Sequence, residues 1–237
     1  MAKSAPAKKA SSRQNLERRE TSVDQLLSAA LRLFVSQGYR ATNLEQISSA
    51  AKLTKGAVYF YFGSKESVLV EVLKRVREVV VDRVAEIVRA AGSDPVERLV
   101  AYVHYQAGLG ITHRDEVLLL ILMSLEFKER PGPVNDSIAD LYAKQRGLVE
   151  SIVRAGQKSG HFRGDVPARE LAAVVLATHD GTFLEWFRRS ESLRGKDLTR
   201  GLRVMLLCGI ALPTATTRPS SVRGATVSRR SPPADPK

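Results

Sequence analysis

The 237-residue chain is long enough for one large or two small domains, and its formal charge is +12 at pH 7. The single cysteine, Cys208, excludes an internal disulfide, and the four histidines lack metal-ligand spacing, so we expect neither metal nor cofactor. The longest apolar run, 117–125, is far shorter than the roughly 20 residues of a membrane span. We therefore expect a soluble, cytoplasmic protein without a signal peptide.

The positive charge is concentrated at the two ends of the chain. Residues 1–65 hold eleven Lys and Arg against four Asp and Glu, which gives +7. Residues 213–237 hold five against one, which gives +4 and leaves only +1 for the middle. This segregation is typical of a phosphate-binding module joined to an ordinary globular body, although solvated basic tails produce the same composition.

Both ends of the chain are predicted to be disordered. Residues 1–20 and 213–237 are rich in Ser, Pro, Lys and Arg and lack apolar periodicity, so neither can bury enough surface to order itself. Between them, apolar residues recur at three-four spacing, and no alternating β-branched run is present. The sequence therefore predicts an all-α protein.

The first two helices are recognised by their apolar stripe and their caps. A stripe from Val23 to Phe34 predicts a helix that ends at Gly38, which can adopt the left-handed C-cap conformation. Asn43 and Gln46 have capping-box spacing, which predicts the start of a second, short helix.

A third helix follows after a tight turn at Lys52 and Leu53. Thr54 can cap this helix, which is expected to run to about Tyr61 and to end before Gly63. Two short helices joined by a tight bend form a helix-turn-helix over 44–63, the geometry that places the second helix in a DNA major groove.

The remaining helices are longer. A continuous apolar stripe predicts a fourth helix over 65–91, long enough to join two domains. Asp94 and Pro95 have the chemistry that starts a fifth helix. Turn residues separate four further predicted helices, at 114–129, 133–159, 167–190 and 196–212.

The helix-turn-helix segment resembles the TetR family of transcription regulators. The resemblance covers residues 22 to about 72 and rests on the run GYRAT at 38–42, on Ile47, and on the run KGAVYFYFGSKE at 55–66. It implies that one set of residues holds DNA phosphates: Thr42, Thr54, Tyr59 and Lys65. It implies that a second set lies nearest the bases: Lys55, Gly56, Ala57 and Phe60.

The turn between the two short helices departs from the family pattern, because Lys52 stands where the family usually has glycine. If Lys52 is left-handed, the strain costs about 1 to 2 kcal/mol. The alternative is a slightly shifted turn, with the Lys52 ammonium close to a phosphate.

The second half of the chain resembles the family in the stretch GHFRGDVP at 160–167, which precedes the eighth helix of many members. The resemblance implies a homodimer through helices near 167–190 and 196–212. A dimer also suits a palindromic operator, whose half-sites lie roughly 34 to 36 Å apart. The expected organisation is a basic extension over 1–20, a DNA-binding domain over 21–72, a ligand-binding and dimerisation domain over 73–212, and a basic tail over 213–237.

An effector pocket is expected among helices four to eight. Its candidate lining residues combine apolar bulk with a few polar tips, and they are Tyr102, Tyr105, Met123, Phe127, Tyr142, His179, Phe183 and Trp186. For each residue alone, a place in the packed core is the more common outcome.

The resulting hypothesis is a sequence-specific repressor that a small molecule releases from DNA. Two alternatives remain: a non-specific nucleic-acid binder driven by the basic ends, and a small helical enzyme built on His179 and Asp180. The enzyme is disfavoured because adjacent helical side chains point about 100° apart and no nucleophile has an orienting partner, so we expect no catalytic residues.

Overall fold

The computed structural model describes residues 5–212, with side chains from residue 17 onward. The predicted basic tail, 213–237, lies outside the described residues. The described chain consists of helices joined by short loops and contains no strand, only an isolated bridge between Phe162 and Ala211. The all-α prediction is confirmed.

Ten α-helices and one π-helical turn follow each other along the described residues. Their bounds are α1 Ala5–Gln37, α2 Leu44–Ala50, α3 Lys55–Phe62, α4 Lys65–Arg77, the π-helical turn Glu78–Asp82, α5 Arg83–Ala90, α6 Pro95–Thr112, α7 Arg114–Glu126, α8 Pro133–Lys158, α9 Ala168–Arg188 and α10 Gly195–Ile210.

Helix α1 begins much earlier than the sequence pattern indicated. Residues 5–20 were expected to be disordered, but they extend α1 toward its start at Ala5. Helical propensity explains the difference, because this stretch is rich in Ala, Lys, Arg, Glu and Gln, and Pro6 stands in the first turn, where proline is tolerated. The expectation of disorder relied on the missing apolar stripe and ignored local propensity.

The predicted fourth helix, 65–91, is unbroken along the chain from 65 to 90 but not uniform. It is built from α4, the π-helical turn at Glu78–Asp82 and α5, and it ends at Gly92, whose φ is 88°. A π-helical turn inserts one extra residue per turn and often marks a functional position in a helix.

One apolar core runs through the molecule, from Leu26 in α1 to Ile210 in α10. The first three helices therefore do not form an isolated unit. Tyr39, after α1, stacks edge-on against Phe127, after α7, with ring centroids 5.0 Å apart. Arg40 forms an ion pair with Glu126 at 3.3 Å beside them. These contacts fix the first three helices against the end of α7.

Candidate nucleic-acid interface and ligand cavity

Helix α3 has an exposed outer face that mixes small, polar and aromatic residues and an inner face that packs into the core. Lys55 and Gly56 are exposed, and Tyr59 and Phe60 are exposed by 50% and 77%. Val58, on the opposite face, is fully buried, as its spacing predicted. The outer face of α3 thus offers close backbone approach at Gly56, together with rings and an ammonium that can contact base edges and phosphates.

The turn between α2 and α3 contains a residue in the left-handed conformation, which was one of the two alternatives for this turn. Lys52 has a φ of 58°, the only positive φ among the described non-glycine residues. Its N–H donates to the Ser49 carbonyl at 3.0 Å, and the Leu53 N–H donates to the Ser48 carbonyl at 2.9 Å. These two bonds close the end of α2 and set the direction in which α3 begins. The Lys52 side chain remains exposed.

Caps define the two short helices. Asn43 and Gln46 form the predicted capping box, with the Gln46 N–H donating to Asn43 Oδ1 at 2.9 Å. The Thr54 hydroxyl accepts from the Ala57 N–H at 3.3 Å, so its own proton is free to reach a phosphate.

A surface hollow of about 390 Å³ lies beside α3. It brings together four of the sequence-predicted DNA-binding residues, Thr42, Lys55, Tyr59 and Lys65. Lys55 forms an ion pair with Glu45 there. The hydrogen bond from Lys55 holds the pKa of Glu45 below its usual range and raises that of Lys55. A phosphate that enters the hollow competes with Glu45 for Lys55.

Lys65, which the sequence predicts to contact a phosphate, makes several contacts within the chain. Its ammonium donates to the carbonyls of Tyr39 and Thr42, both at 2.7 Å, and lies 4.2 Å from the centre of the Tyr39 ring. Burial lowers the pKa of Lys65 and raises that of Tyr39. Lys65 thus ties the start of α4 to the turn between α1 and α2, with one of its three N–H donors left over.

The expected phosphate contact of Thr42 is not supported by its position. Its side chain is buried, with 1% of the residue exposed. Its hydroxyl donates to the Gly38 carbonyl at 2.8 Å and accepts from Gln37 at 3.2 Å. The one hydroxyl proton of Thr42 is therefore used inside the turn and is not available to a phosphate oxygen, although Thr42 lines the hollow.

In the second half of the chain, a cavity of about 280 Å³ lies between α6, α9 and the start of α10 and is open on one side. Three of the eight candidate pocket residues line it: His179, Phe183 and Trp186. Phe183 also approaches Gly110, where an added Cβ would lie 3.1 Å from the ring. Because Gly110 has no side chain, the Phe183 ring can pack closely against α6 and line the cavity.

A much smaller polar cavity, of about 10 Å³, adjoins the first through two shared residues, Gln106 and His179. Tyr102 and Tyr142 line it, as does Val80 of the π-helical turn. Burial raises the pKa of both tyrosines, that of Tyr142 to about 12. Both hydroxyls therefore stay protonated at neutral pH.

The other three candidate residues line neither cavity. Met123 is buried in the core, Tyr105 packs partly buried against it, and Phe127 contacts Tyr39. The structure does not bring these three residues to a cavity, because helical spacing shows which side chains point inward but not which ones meet a void.

Several lining residues carried only a weak sequence signal. Gln106 stands on the buried stripe of α6, four residues after Tyr102, and is 2% exposed. A polar residue on an apolar stripe could have indicated it. Lys196 and His104 also line the cavity, and their places depend on how α10 packs against α6.

His179 and Asp180 lie closer together than helical geometry suggested, with His179 Nδ1 and Asp180 Oδ1 3.4 Å apart. This distance exceeds that of a good hydrogen bond. Among the residues from 17 to 212 there is no cluster of three or more potential metal ligands. No helix within the described part of the chain is long and apolar enough to cross a membrane.

Helices α9 and α10 carry an exposed apolar face. Val174, Val204 and Met205 are exposed by 55%, 51% and 57%. Gly181 lies in α9, and a Cβ added there would contact nothing within the described chain. Packing inside the described chain therefore does not account for Gly181, although glycine in a helix is less stable than alanine by about 1 kcal/mol.

Comparison with known proteins agrees with this geometry. Residues 26–72 match the model of the bacterial regulatory proteins of the tetR family, and residues 119–186 match a tetracyclin repressor-like C-terminal domain. The HTH-type transcriptional repressor KstR2 of Rhodococcus jostii is 30% identical over 197 residues, which is 80% of this chain and 91% of the relative.

Solved structures give the same result. The MbdR regulator from Azoarcus sp. CIB is 39% identical and superposes with a TM-score of 0.73, over 81% of this chain and all of that one. A transcriptional regulator from Saccharomonospora viridis in complex with choline is 26% identical, with a TM-score of 0.70 over 80% and 97% of the two chains. Such regulators bind DNA operators as dimers, bind small-molecule effectors and are not enzymes. The chain belongs to the tetR family of bacterial regulatory proteins.

Proposed function

We propose that the protein is a repressor that leaves a palindromic operator when a small molecule enters the cavity between α6, α9 and α10. One observation carries the proposal: α7 and α8 contact α4, which packs against the exposed recognition helix α3, and both border the smaller cavity, which shares Gln106 and His179 with the larger one. Residues 21–72 form the DNA-binding unit, and residues 73–212 bind the effector and dimerise. The protein acts in the cytoplasm, where its DNA lies.

The residues on and around α3 divide the work of DNA recognition. Lys55, Gly56, Ala57 and Phe60 contact bases. The phosphates are held by Thr54, Tyr59, Lys52 and the free N–H of Lys65. Thr42 instead supports the turn between α1 and α2. The apolar face of α9 and α10 forms the dimer interface, because burying such a face against its twin stabilises a symmetric pair.

Two routes connect the cavities to α3. The first route begins at Val80, which lines the polar cavity. Val80 belongs to the π-helical turn, and this turn follows α4 without a break. Ile121 of α7 lines the same cavity, and the end of α7 holds Tyr39 and Arg40 through Phe127 and Glu126. An effector that displaces Val80 or Ile121 changes the separation of the two α3 helices in the dimer. A coupling free energy of about 1 to 3 kcal/mol between effector binding and operator binding is enough for regulation.

The DNA-binding half of the proposal is tested by selecting fragments from random DNA with the full chain. The expected product is a palindrome with half-site centres about one helical turn, roughly 34 to 36 Å, apart. Phe60→Ala should change the selected bases. Leu125→Ala is the matched control, because Leu125 is also an exposed apolar residue, at 72%, and lies on α7. Equal affinity for every DNA fragment would instead indicate a non-specific binder.

The effector half is tested with the selected operator. Trp186 is the only tryptophan and lines the cavity, so its fluorescence reports occupancy directly. Compounds that change this fluorescence should weaken operator binding at the same concentrations. Compounds that occupy the cavity and never alter operator affinity would contradict the proposal.

A further inference from the structure

The inner end of the cavity holds a hydrogen-bond acceptor without a donor. Gln106 is 2% exposed, and its Oε1 has no partner among the described residues. Its Nε2 lies 3.4 Å from Tyr102 Oη, a long contact, whereas Oε1 faces no donor in the described chain. Buried side-chain oxygens without a donor are rare in native proteins. Because Gln106 lines both cavities, a ligand donor can reach it from the larger one.

The opening of the cavity is positively charged. Lys196 and His104 line it, and Arg203 Nη1 donates to His104 Nε2 at 3.1 Å. No aspartate or glutamate is among the lining residues, and within the described chain no carboxylate pairs with Lys196 or Arg203. The nearest acidic neighbour in sequence, Asp197, is engaged by Arg194 at 2.6 Å.

Between these two ends the wall is apolar and aromatic. Ile111, Phe183, Trp186, Leu198 and Leu202 line the cavity. Its volume of about 280 Å³ corresponds to that of roughly nine water molecules at about 30 Å³ each. The cavity itself therefore takes a small organic molecule or the end of a larger one.

From this arrangement we infer that the effector is an anionic amphiphile, with a hydroxyl that donates to Gln106 Oε1 at the inner end and an acidic group beside Lys196 and Arg203 at the opening. The inference rests on the proposed function of this cavity and adds the chemical class of its ligand. An apolar ligand leaves the Gln106 oxygen unsatisfied, and a cationic ligand is repelled at the opening.

Three matched probes separate the two ends of the ligand. The probe 10-hydroxydecanoate carries both groups, decanoate lacks the hydroxyl, and methyl 10-hydroxydecanoate lacks the charge. Each is titrated at submillimolar concentration into the full chain, with Trp186 fluorescence as the readout. We expect the first probe to bind about tenfold more tightly than the ester and about fivefold more tightly than decanoate.

Two variants assign these preferences to their residues. Lys196→Gln should weaken binding of 10-hydroxydecanoate about fivefold without affecting the ester, and added NaCl should reduce the difference by screening. Gln106→Met should abolish the preference for the hydroxylated probe over decanoate. Lys158→Gln is the control, because it removes an exposed lysine at the end of α8 that lines no cavity.

The outcomes separate this inference from the proposed function. An ester that binds as tightly as the acid, or acid binding that Lys196→Gln leaves unchanged, overturns the anionic class while the fluorescence response still shows an occupied cavity. No response to any of the three probes also overturns it. The proposed function fails on a different measurement, an operator affinity that cavity occupancy does not change.

Discussion

The turn before α3 offers a sharp prediction, because a lysine occupies a conformation that favours glycine. Lys52 has a φ of 58°. A left-handed residue with a Cβ costs the folded state about 1 to 2 kcal/mol. Replacing it by glycine removes this strain, but glycine also stabilises the unfolded chain by about 0.5 to 1 kcal/mol, because its backbone has more conformational freedom there. Lys52→Gly should therefore stabilise the protein by about 0.5 to 1 kcal/mol.

The expected change in melting temperature is small but measurable. For a chain of this size, 1 kcal/mol corresponds to a shift of about 2 to 4 °C, so the midpoint should rise by about 1 to 4 °C. The measurement is thermal unfolding followed by circular dichroism at one fixed protein concentration, because a dimer's midpoint depends on concentration.

Lys52→Ala is the matched control for the turn. Alanine keeps the Cβ and the strain but removes the ammonium, so its stability should stay close to that of the parent. Both substitutions should lower the salt dependence of operator binding by about one phosphate contact if Lys52 holds a phosphate. A Lys52→Gly variant that is less stable than Lys52→Ala would refute the reasoning about strain.

Three further substitutions test other parts of the structure. Lys65→Met removes two hydrogen bonds to backbone carbonyls, so the free energy of unfolding should fall by about 1 kcal/mol. Operator binding should also weaken. An unchanged midpoint of denaturant unfolding would contradict the anchoring role of Lys65. Gly156→Ala places a Cβ 2.1 Å from the Phe162 ring, so urea unfolding should show a loss of about 1 to 3 kcal/mol, whereas Gly147→Ala, which meets nothing, should not destabilise. Burial raises the pKa of Tyr142 from 10.0 to about 12, so its contribution to stability is fully present below pH 10 and falls between pH 10 and 12 by up to about 1.4 kcal/mol per pH unit. Burial also raises the pKa of Tyr102, so Tyr142→Phe should reduce the alkaline slope without removing it, and an unchanged slope would exclude Tyr142 as one of its sources.

The sequence alone determined the features that depend on neighbours along the chain. Caps such as Asn43 and Thr54, and stops such as Gly92, act within a few residues of themselves, so the helix order and most boundaries could be predicted from local pattern. The outward face of α3 was predictable for the same reason, because helical periodicity alone separates Val58 from Phe60.

Only the tertiary structure decided which side chains meet. Gln106, Lys196 and Trp186 come from three different helices, and packing, not periodicity, leaves a void between them. Packing likewise assigned Phe127 to the contact with Tyr39 instead of to the pocket. Lys65 turned out to anchor two carbonyls more than twenty residues away, a role that spacing cannot reveal. The physical reason is that local pattern fixes the direction of a side chain, whereas a cavity or a cross-helix bond depends on how distant segments pack.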